Sequence, residues 1–381
     1  MSKKEWNKIF KKKCNNFNIL PSILPPVKRI IVLGDLHGDW DITISSLKIA
    51  KLINNKLKWI GKNTVVVQLG DQIDRCRFTE GIPCNLPNTT KDDEASDMKI
   101  LNYFTELHEQ AQKKGGAVYS IIGNHELMNV NGDMRYVSFK NISDFNNYKK
   151  PDRTIIPDGM KARKWAFAPG NPIADFLGCT RQLSLIIGSN LFVHAGILPN
   201  IAKKYNTKDM NKILSLYLWD KLKNPSDYNE LLDSSDYSPL WNRIFATTIQ
   251  STQSTQSTPL THLTPLTQST HLTQSTHLTA PLSTNLSIQP VSDDLTKTCN
   301  NLMNPLKKIY KVGKIFIGHT PQLTTGISSS CDKKIWHVDY GASKAFDKFD
   351  KNFESTNQRS KVREVQVLEI LEDGEIINII K

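Results

Sequence analysis

Short apolar runs rich in Val and Ile recur along the chain, and each stops at a polar cluster containing glycine. Arg29 to Leu33 runs into Gly34-Asp35-Leu36-His37-Gly38. Thr64 to Leu69 runs into Gly70-Asp71-Gln72-Ile73-Asp74-Arg75, and Ala117 to Ile122 into Gly123-Asn124-His125-Glu126. Between these runs the apolar period changes to three and four. Ile42, Leu47, Ile49 and Leu52 mark one helical stretch, and Met98, Leu101, Phe104 and Leu107 a second, over roughly residues 93–113, closed by Gly115-Gly116. Alternating runs of this kind predict an α/β sheet with ligand-bearing loops at the carboxyl ends of its strands. Further on, Leu183 to Ile187 and Leu191 to Val193 are predicted strands, the second leading into His194-Ala195-Gly196. Lys314 to Ile317 ends at Gly318-His319-Thr320-Pro321, and Ile335 to Val338 at Asp339-Tyr340-Gly341. Val362 to Ile370 and Glu375 to Ile380 flank Asp373-Gly374 as a terminal hairpin.

Three stretches lack this pattern. Residues 1–27 form a basic segment with Trp6, Ile9 and Phe10 on one helical face; an N-terminal helix that docks on the domain or frays is the expectation, since a targeting helix favours Arg over Lys and avoids acids such as Glu5. Residues 130–182 look irregular, and residues 207–243 look helical. From Ile244 to Ser292 no residue is formally charged, and Thr-Gln-Ser and Thr-His-Leu-Thr units repeat. Such a tract is expected to be a disordered insertion, order resuming near Asn304, and its His262, His271 and His277 have no acidic or thiol partners. The expected organisation is therefore a basic segment over 1–27 and one catalytic domain over 28–381, interrupted by 244–292.

Composition adds limits. Lys+Arg 49 against Asp+Glu 37 gives +12, but the excess is dispersed apart from six Lys in Met1 to Lys13, so specific nucleic-acid binding is not expected. No apolar run approaches the roughly 18 residues of a membrane span. Six cysteines without a CxxC pair point to free thiols in a reducing, intracellular and cytoplasmic setting, with Cys76 and Cys84 close enough in sequence for a local bridge.

The strand-end clusters suit a two-ion site. Asp35 and His37 can converge on one ion, Asp71 can bridge two, and Asn124, His194 and His319 can supply the second. Carboxylate, carboxamide and imidazole together suit Mn, Fe or Zn, and a pair of such ions clamps a phosphoryl group. His125 is placed to protonate a leaving oxygen, with Asp74 on its other nitrogen. Arg75 offers a planar fork for phosphate oxygens. Each cluster alone could be an ordinary polar turn or helix cap; all of them in this order make chance a poor explanation.

Taken together, the motifs at 34–38, 70–75, 123–126, 194–196 and 318–319 resemble the calcineurin-like metallophosphoesterase superfamily, in its phosphoprotein phosphatase branch. Gly123 to Val137, Pro239 to Arg243 and Asp339 to Ser343 look more closely like the Shewanella-like protein phosphatases. The resemblance implies two mixed β-sheets packed as a sandwich flanked by helices, with a two-metal centre between them. It also implies Arg243 as a second phosphate contact and, more weakly, Tyr340 as a substrate contact. The family's glycine after the motif arginine is here Cys76, followed by a longer loop, so the entrance is expected to differ.

The expected activity is a metal-dependent phosphomonoesterase, in which a metal-bridging hydroxide attacks phosphorus and His125 protonates the departing oxygen. A phosphoprotein, on Ser/Thr or Tyr, is the expected substrate; a small-molecule ester such as a dinucleoside polyphosphate is the alternative. Cys76 beside Arg75 does not make a cysteine phosphatase, because no phosphate-cradling loop ends in that arginine. Lys/Asn/Ile-rich usage with a simple repeat suggests a viral or protist source.

Overall fold

A computed structural model describes residues 3–77, 81–248 and 291–381. Its strands, in chain order, are β1 (Ile23–Leu24), β2 (Arg29–Leu33), β3 (Val65–Gln68), β4 (Ala117–Ile121), β5 (Tyr148–Lys149), β6 (Ile155–Ile156), β7 (Arg181–Gln182), β8 (Ser184–Ile187), β9 (Asn190–Val193), β10 (Lys314–Ile317), β11 (Ser328–Ser330), β12 (Ile335–His337), β13 (Val367–Leu371) and β14 (Ile376–Ile380). They make two six-stranded mixed sheets, β14-β13-β2-β3-β4-β7 and β1-β8-β9-β10-β12-β11, and the small hairpin β5-β6. β2, β3, β4 and β7 run parallel, as do β9, β10 and β12.

Side-chain alternation explains why the runs are apolar throughout. Leu185, Ile187, Phe192, Phe316 and Trp336 face the first sheet and share a core with Val32, Val67 and Leu368. Their neighbours Ile186, Leu191, Val193, Ile315, Ile317 and Ile335 belong to a second core, with residues of the outer helices. A strand buried on both faces loses the polar half of its period. Phe192 and Phe316 stack at 5.0 Å in the inner layer.

Several expectations change. Residues 130–182 are not irregular: helices span Gly159–Phe167, capped by Asp158 Oδ1 on the Lys161 amide at 2.7 Å, and Pro172–Thr180, with proline at its start. Both are short and were masked by neighbouring turns. The stretch 207–243 is broken into helices Thr207–Leu218 and Pro225–Leu231. Order resumes earlier than expected, since a helix runs Val291–Tyr310. Residues 244–248 hold a short helical turn, and 249–290, with the three repeat histidines, lie outside the described residues. The helix Lys3–Lys13 buries Trp6 and Phe10 against Trp219, and β1 joins the second sheet beside β8. Free thiols are also corrected: Cys14–Cys179, Cys76–Cys84 and Cys299–Cys331 are bridged, with no free cysteine among the described residues. Two of these pairs are 165 and 32 residues apart, so only tertiary contact reveals them. No described helix is long and apolar enough to cross a membrane.

Candidate metal centre

All six expected ligands lie one to four residues beyond the ends of strands β2, β3, β4, β9 and β10, and converge in the cleft between the sheets. Glycine permits the approach. A Cβ on Gly70, which has φ +98°, would lie 2.6 Å from the Gly123 amide and 2.9 Å from His194 Nδ1. A Cβ on Gly123 would lie 2.1 Å from Asp71 Oδ1. His37, Asp71, Asp74 and His319 all hold left-handed backbone, with φ of 43°, 51°, 72° and 68°. Non-glycine residues persist there, at a cost on the order of 1–3 kcal/mol each, only where neighbours over-determine them. Glu126 is one such neighbour. Its Oε2 accepts from the Asp71 and Gly123 amides at 3.0 and 2.7 Å, and its Oε1 from the Gln72 amide at 2.7 Å.

Asp71 is the centre of the arrangement. Its Oδ2 lies 3.7 Å from His37 Nε2, 3.4 Å from His194 Nε2 and 3.9 Å from His125 Nε2. Asn124 Oδ1 sits 2.8 Å from His194 Nε2 and 2.9 Å from His319 Nδ1. Asp35 Oδ2 is 3.8 Å from His37 Nε2 and accepts from the His319 amide at 3.0 Å. Two groups of potential ligand atoms result: His37, Asp71 and His125, and Asp71, His194 and His319. Asp71 is common to both.

The far ring nitrogens separate the four histidines. His37 Nδ1 faces the Ile73 carbonyl at 3.3 Å, His194 Nδ1 the Leu69 carbonyl at 2.7 Å, and His319 Nε2 the Trp241 carbonyl at 3.0 Å. A backbone carbonyl fixes a neutral tautomer that leaves the other nitrogen free to ligate. His125 instead sets Nδ1 against a carboxylate, Asp74 Oδ2, at 2.8 Å. Asp74 is itself held by the Asn129 amide group at 3.0 Å on Oδ1, and Arg163 Nε donates to Asn129 Oδ1 at 2.9 Å and its NH2 to Asp97 Oδ2 at 2.7 Å. Asn129 was legible, four residues after His125 on one helix face; Arg163 carries no local signal.

Electrostatics agree. Burial pushes Asp71 up, but the imidazoles of His194, His125 and His37 outweigh it and hold the carboxyl well below its usual range. Burial, then the charges of Asp339 and Asp71, drives Asp35 well upward. Burial and the Arg77 charge push His37 well down, and burial and Arg243 do the same to His319. Asp35 Oδ1 is buried without a hydrogen-bond partner. Burial pushes His194 down, but the Asp71 carboxylate outweighs it and raises that imidazole. Buried carboxylates crowded together with imidazoles are stable where cations join them, so the donors fit a pair of metal ions.

The arginines are arranged differently from expectation. Arg75 is fully buried, and its NH1 donates to the Gly38 carbonyl at 3.1 Å and to Glu94 Oε1 at 2.8 Å. It braces the loop and does not present its fork to the cleft; its acidic partner, 19 residues downstream, was invisible to the motif. Arg77, two residues on, takes the position over the site. Its guanidinium lies 5.6 Å from the Tyr136 ring and 4.4 Å from the Phe346 ring. Those rings pack edge-on against His125 at 4.9 Å and His37 at 5.3 Å. The signal was present, as the second arginine of Asp74-Arg75-Cys76-Arg77. Arg243 is exposed at the rim beside His319, its NH1 3.1 Å from Thr320 Oγ1. Tyr340 is corrected: its hydroxyl accepts from the Gln366 amide at 3.0 Å and its ring is in the inner core. Adjacent extended residues point oppositely, so with Asp339 toward the metal ligands Tyr340 turns away.

A donor set of this kind at the strand ends of a two-sheet sandwich defines a metallophosphoesterase. The chain belongs to the calcineurin-like phosphoesterase family, whose model matches residues 28–323. Uncharacterized protein R398 of Acanthamoeba polyphaga mimivirus is 33% identical over 291 residues, covering 71% of this chain and 95% of that one. Shewanella-like protein phosphatase 2 of Arabidopsis thaliana is 30% identical over 210 residues, 47% of this chain and 49% of that protein, so the chain matches about half its length. The cold-active protein-tyrosine phosphatase of a psychrophilic Shewanella sp. shares the fold at TM-score 0.56 and 16% identity, covering 96% of this chain and 83% of that one. The chain is a phosphoester hydrolase of a family that uses a dinuclear metal centre.

Proposed function

We propose that the protein is a phosphomonoesterase acting on phosphorylated proteins, with residues 28–381 as one catalytic unit interrupted by 244–292. The observation that carries this reading is the His125–Asp74 pair at 2.8 Å, set beside the metal ligands. Asp35, His37 and Asp71 would hold one ion, and Asp71, Asn124, His194 and His319 the other. When bound, the two ions supply charge for the phosphoryl oxygens and lower the pKa of water near neutral pH.

The chain's own groups do the rest. His125 Nε2 points into the site while Asp74 holds Nδ1, so the imidazolium can give its proton to the leaving alkoxide or phenoxide oxygen. Asp74 keeps the ring oriented through Nδ1 as the proton leaves Nε2. Arg77, fixed between Tyr136 and Phe346, and Arg243 at the opposite rim offer charged donors to the phosphoryl oxygens. General acid supply matters most for poor leaving groups such as serine, threonine and tyrosine oxygens. The resemblance of residues 123–137 and 239–243 to Shewanella-like phosphatases, and the printed names of the phosphatase relatives, support a phosphoprotein substrate.

The test is a panel of phosphoserine, phosphothreonine and phosphotyrosine peptides set against diadenosine tetraphosphate, with Mn-loaded protein. Phosphate release from peptides at higher kcat/KM than nucleotide release supports the reading. A reversed preference assigns the site to small-molecule esters.

A further inference from the structure

Beyond the six ligands, a further buried carboxylate meets the centre. Asp339 lies two residues past the end of β12, the same offset at which Asp35 follows β2 and His319 follows β10. β12 and β10 are parallel neighbours, so their ends open on one side. The Asp339 backbone touches the loop that carries Asp35: a Cβ on Gly34 would lie 2.4 Å from the Val338 carbonyl oxygen and 3.0 Å from Asp339 Cα. Asp339 is 1% exposed. Its Oδ1 accepts from the Gly341 amide at 2.9 Å, which shapes the turn. Its Oδ2 is buried with no hydrogen-bond partner, and Asp35 Oδ1 is in the same condition.

The turn explains one oxygen and leaves the other. An Asx turn needs a single acceptor, and asparagine or serine would serve it equally well. A second carboxylate oxygen, dry and unpaired beside two more buried carboxylates, is costly unless a cation faces it. Asp339 is the leading charge acting on Asp35.

We infer that Asp339 is a seventh protein group of the metal centre, its Oδ2 serving the ion that Asp35 and His37 would hold. The inference rests on the two-ion reading and adds a carboxylate to one half of it. It makes the centre lopsided in its donors, with the carboxylates of Asp35, Asp339 and shared Asp71 on one side and the carboxamide of Asn124 and the imidazoles of His194 and His319 on the other. A richer carboxylate set draws that side toward harder ions such as Mn.

The experiment titrates full-length apoprotein, wild type and Asp339→Asn, with Mn²⁺ by calorimetry and chelator competition, and reads thermal unfolding with and without Mn²⁺. Wild type is expected to take two ions. Asp339→Asn should bind one of them about 10–100-fold more weakly and the other unchanged. Without metal the variant should melt no lower than wild type, because a like charge beside Asp35 and Asp71 has gone. If the variant takes both ions with wild-type affinity, or melts lower in the apo state by as much as in the loaded state, Asp339 is only a turn residue. If wild type takes fewer than two ions, the underlying two-ion reading fails first and this inference with it. Should Asp339→Asn not fold, Asp339→Ser keeps an acceptor for Gly341 and takes the same measurements.

Discussion

The strand-end half of the site and its entrance loop are built by different rules. The ligands Asp35, Asp71, Asn124, His194 and His319 are positioned by parallel strands buried on both faces, so sequence offset from the strand end dictates place. The loop segments at residues 75–77 and 81–94 obey no such register. There a disulfide between Cys76 and Cys84 and the Arg75–Glu94 pair decide which arginine faces the cleft. Where a regular element sets geometry, the motif residues converge; where a loop's private contacts set it, the motif arginine turns to Gly38 and Glu94, and Arg77, two positions on, lies over the rings beside the histidines.

His125 is where the strand-end half makes its strongest claim. Asn in its place should cut turnover of a phosphoserine peptide by roughly 10²–10⁴-fold, and substrates with acidic phenol leaving groups by less. Both ions should be retained. Loss of an ion instead would make His125 a ligand, as its 3.9 Å approach to Asp71 would then imply.

That half also has a pH liability. Burial lowers His337, which ends β12, from 6.5 to about 4. The unfolded chain therefore takes up this proton near pH 6.5 and the folded chain only near pH 4. Its stabilising contribution is full above 6.5, is lost as pH falls toward 4, and changes no further below that. The total is about 3 kcal/mol. Chemical denaturation of His337→Asn across this window should show a shallower slope than wild type.

The arginine exchange is smaller and tests the loop directly. Arg77→Ala should raise the inhibition constant for inorganic phosphate about 10–100-fold, the weight of a charged hydrogen bond. Arg75→Ala should leave that constant within a few-fold and lower stability by about 1–3 kcal/mol. The reverse pattern would restore the motif arginine to the phosphate. Smallest is the paired change Cys76→Ser with Cys84→Ser. Closing so short a loop contributes about 2.5 kcal/mol, so melting should shift modestly and Mn²⁺ stoichiometry not at all.

The legible part of the molecule follows the same division. Val, Ile and Leu runs gave the inner strands, and glycine–aspartate and glycine–asparagine pairs gave their ends, because Gly70 and Gly123 must admit His194 and Asp71. Glu126 as a brace was legible from its place in the motif. The helices at 159–167 and 172–180 were not, since nine residues hold too few apolar repeats to stand out between turns. Arg163 behind Asp74 and the two long-range cysteine pairs depend on contacts between distant segments, which no local pattern encodes. Tyr340 was misassigned through its neighbour, since the side chain facing the ligands is Asp339.

The most direct test of the two-ion phosphatase account is phosphate release from a phosphopeptide followed while metal-free protein is titrated with Mn²⁺. The account predicts turnover that appears only as two ions bind per chain and disappears on chelation. Folded protein carrying two ions per chain and releasing no phosphate from any phosphopeptide or from phenyl phosphate would contradict it.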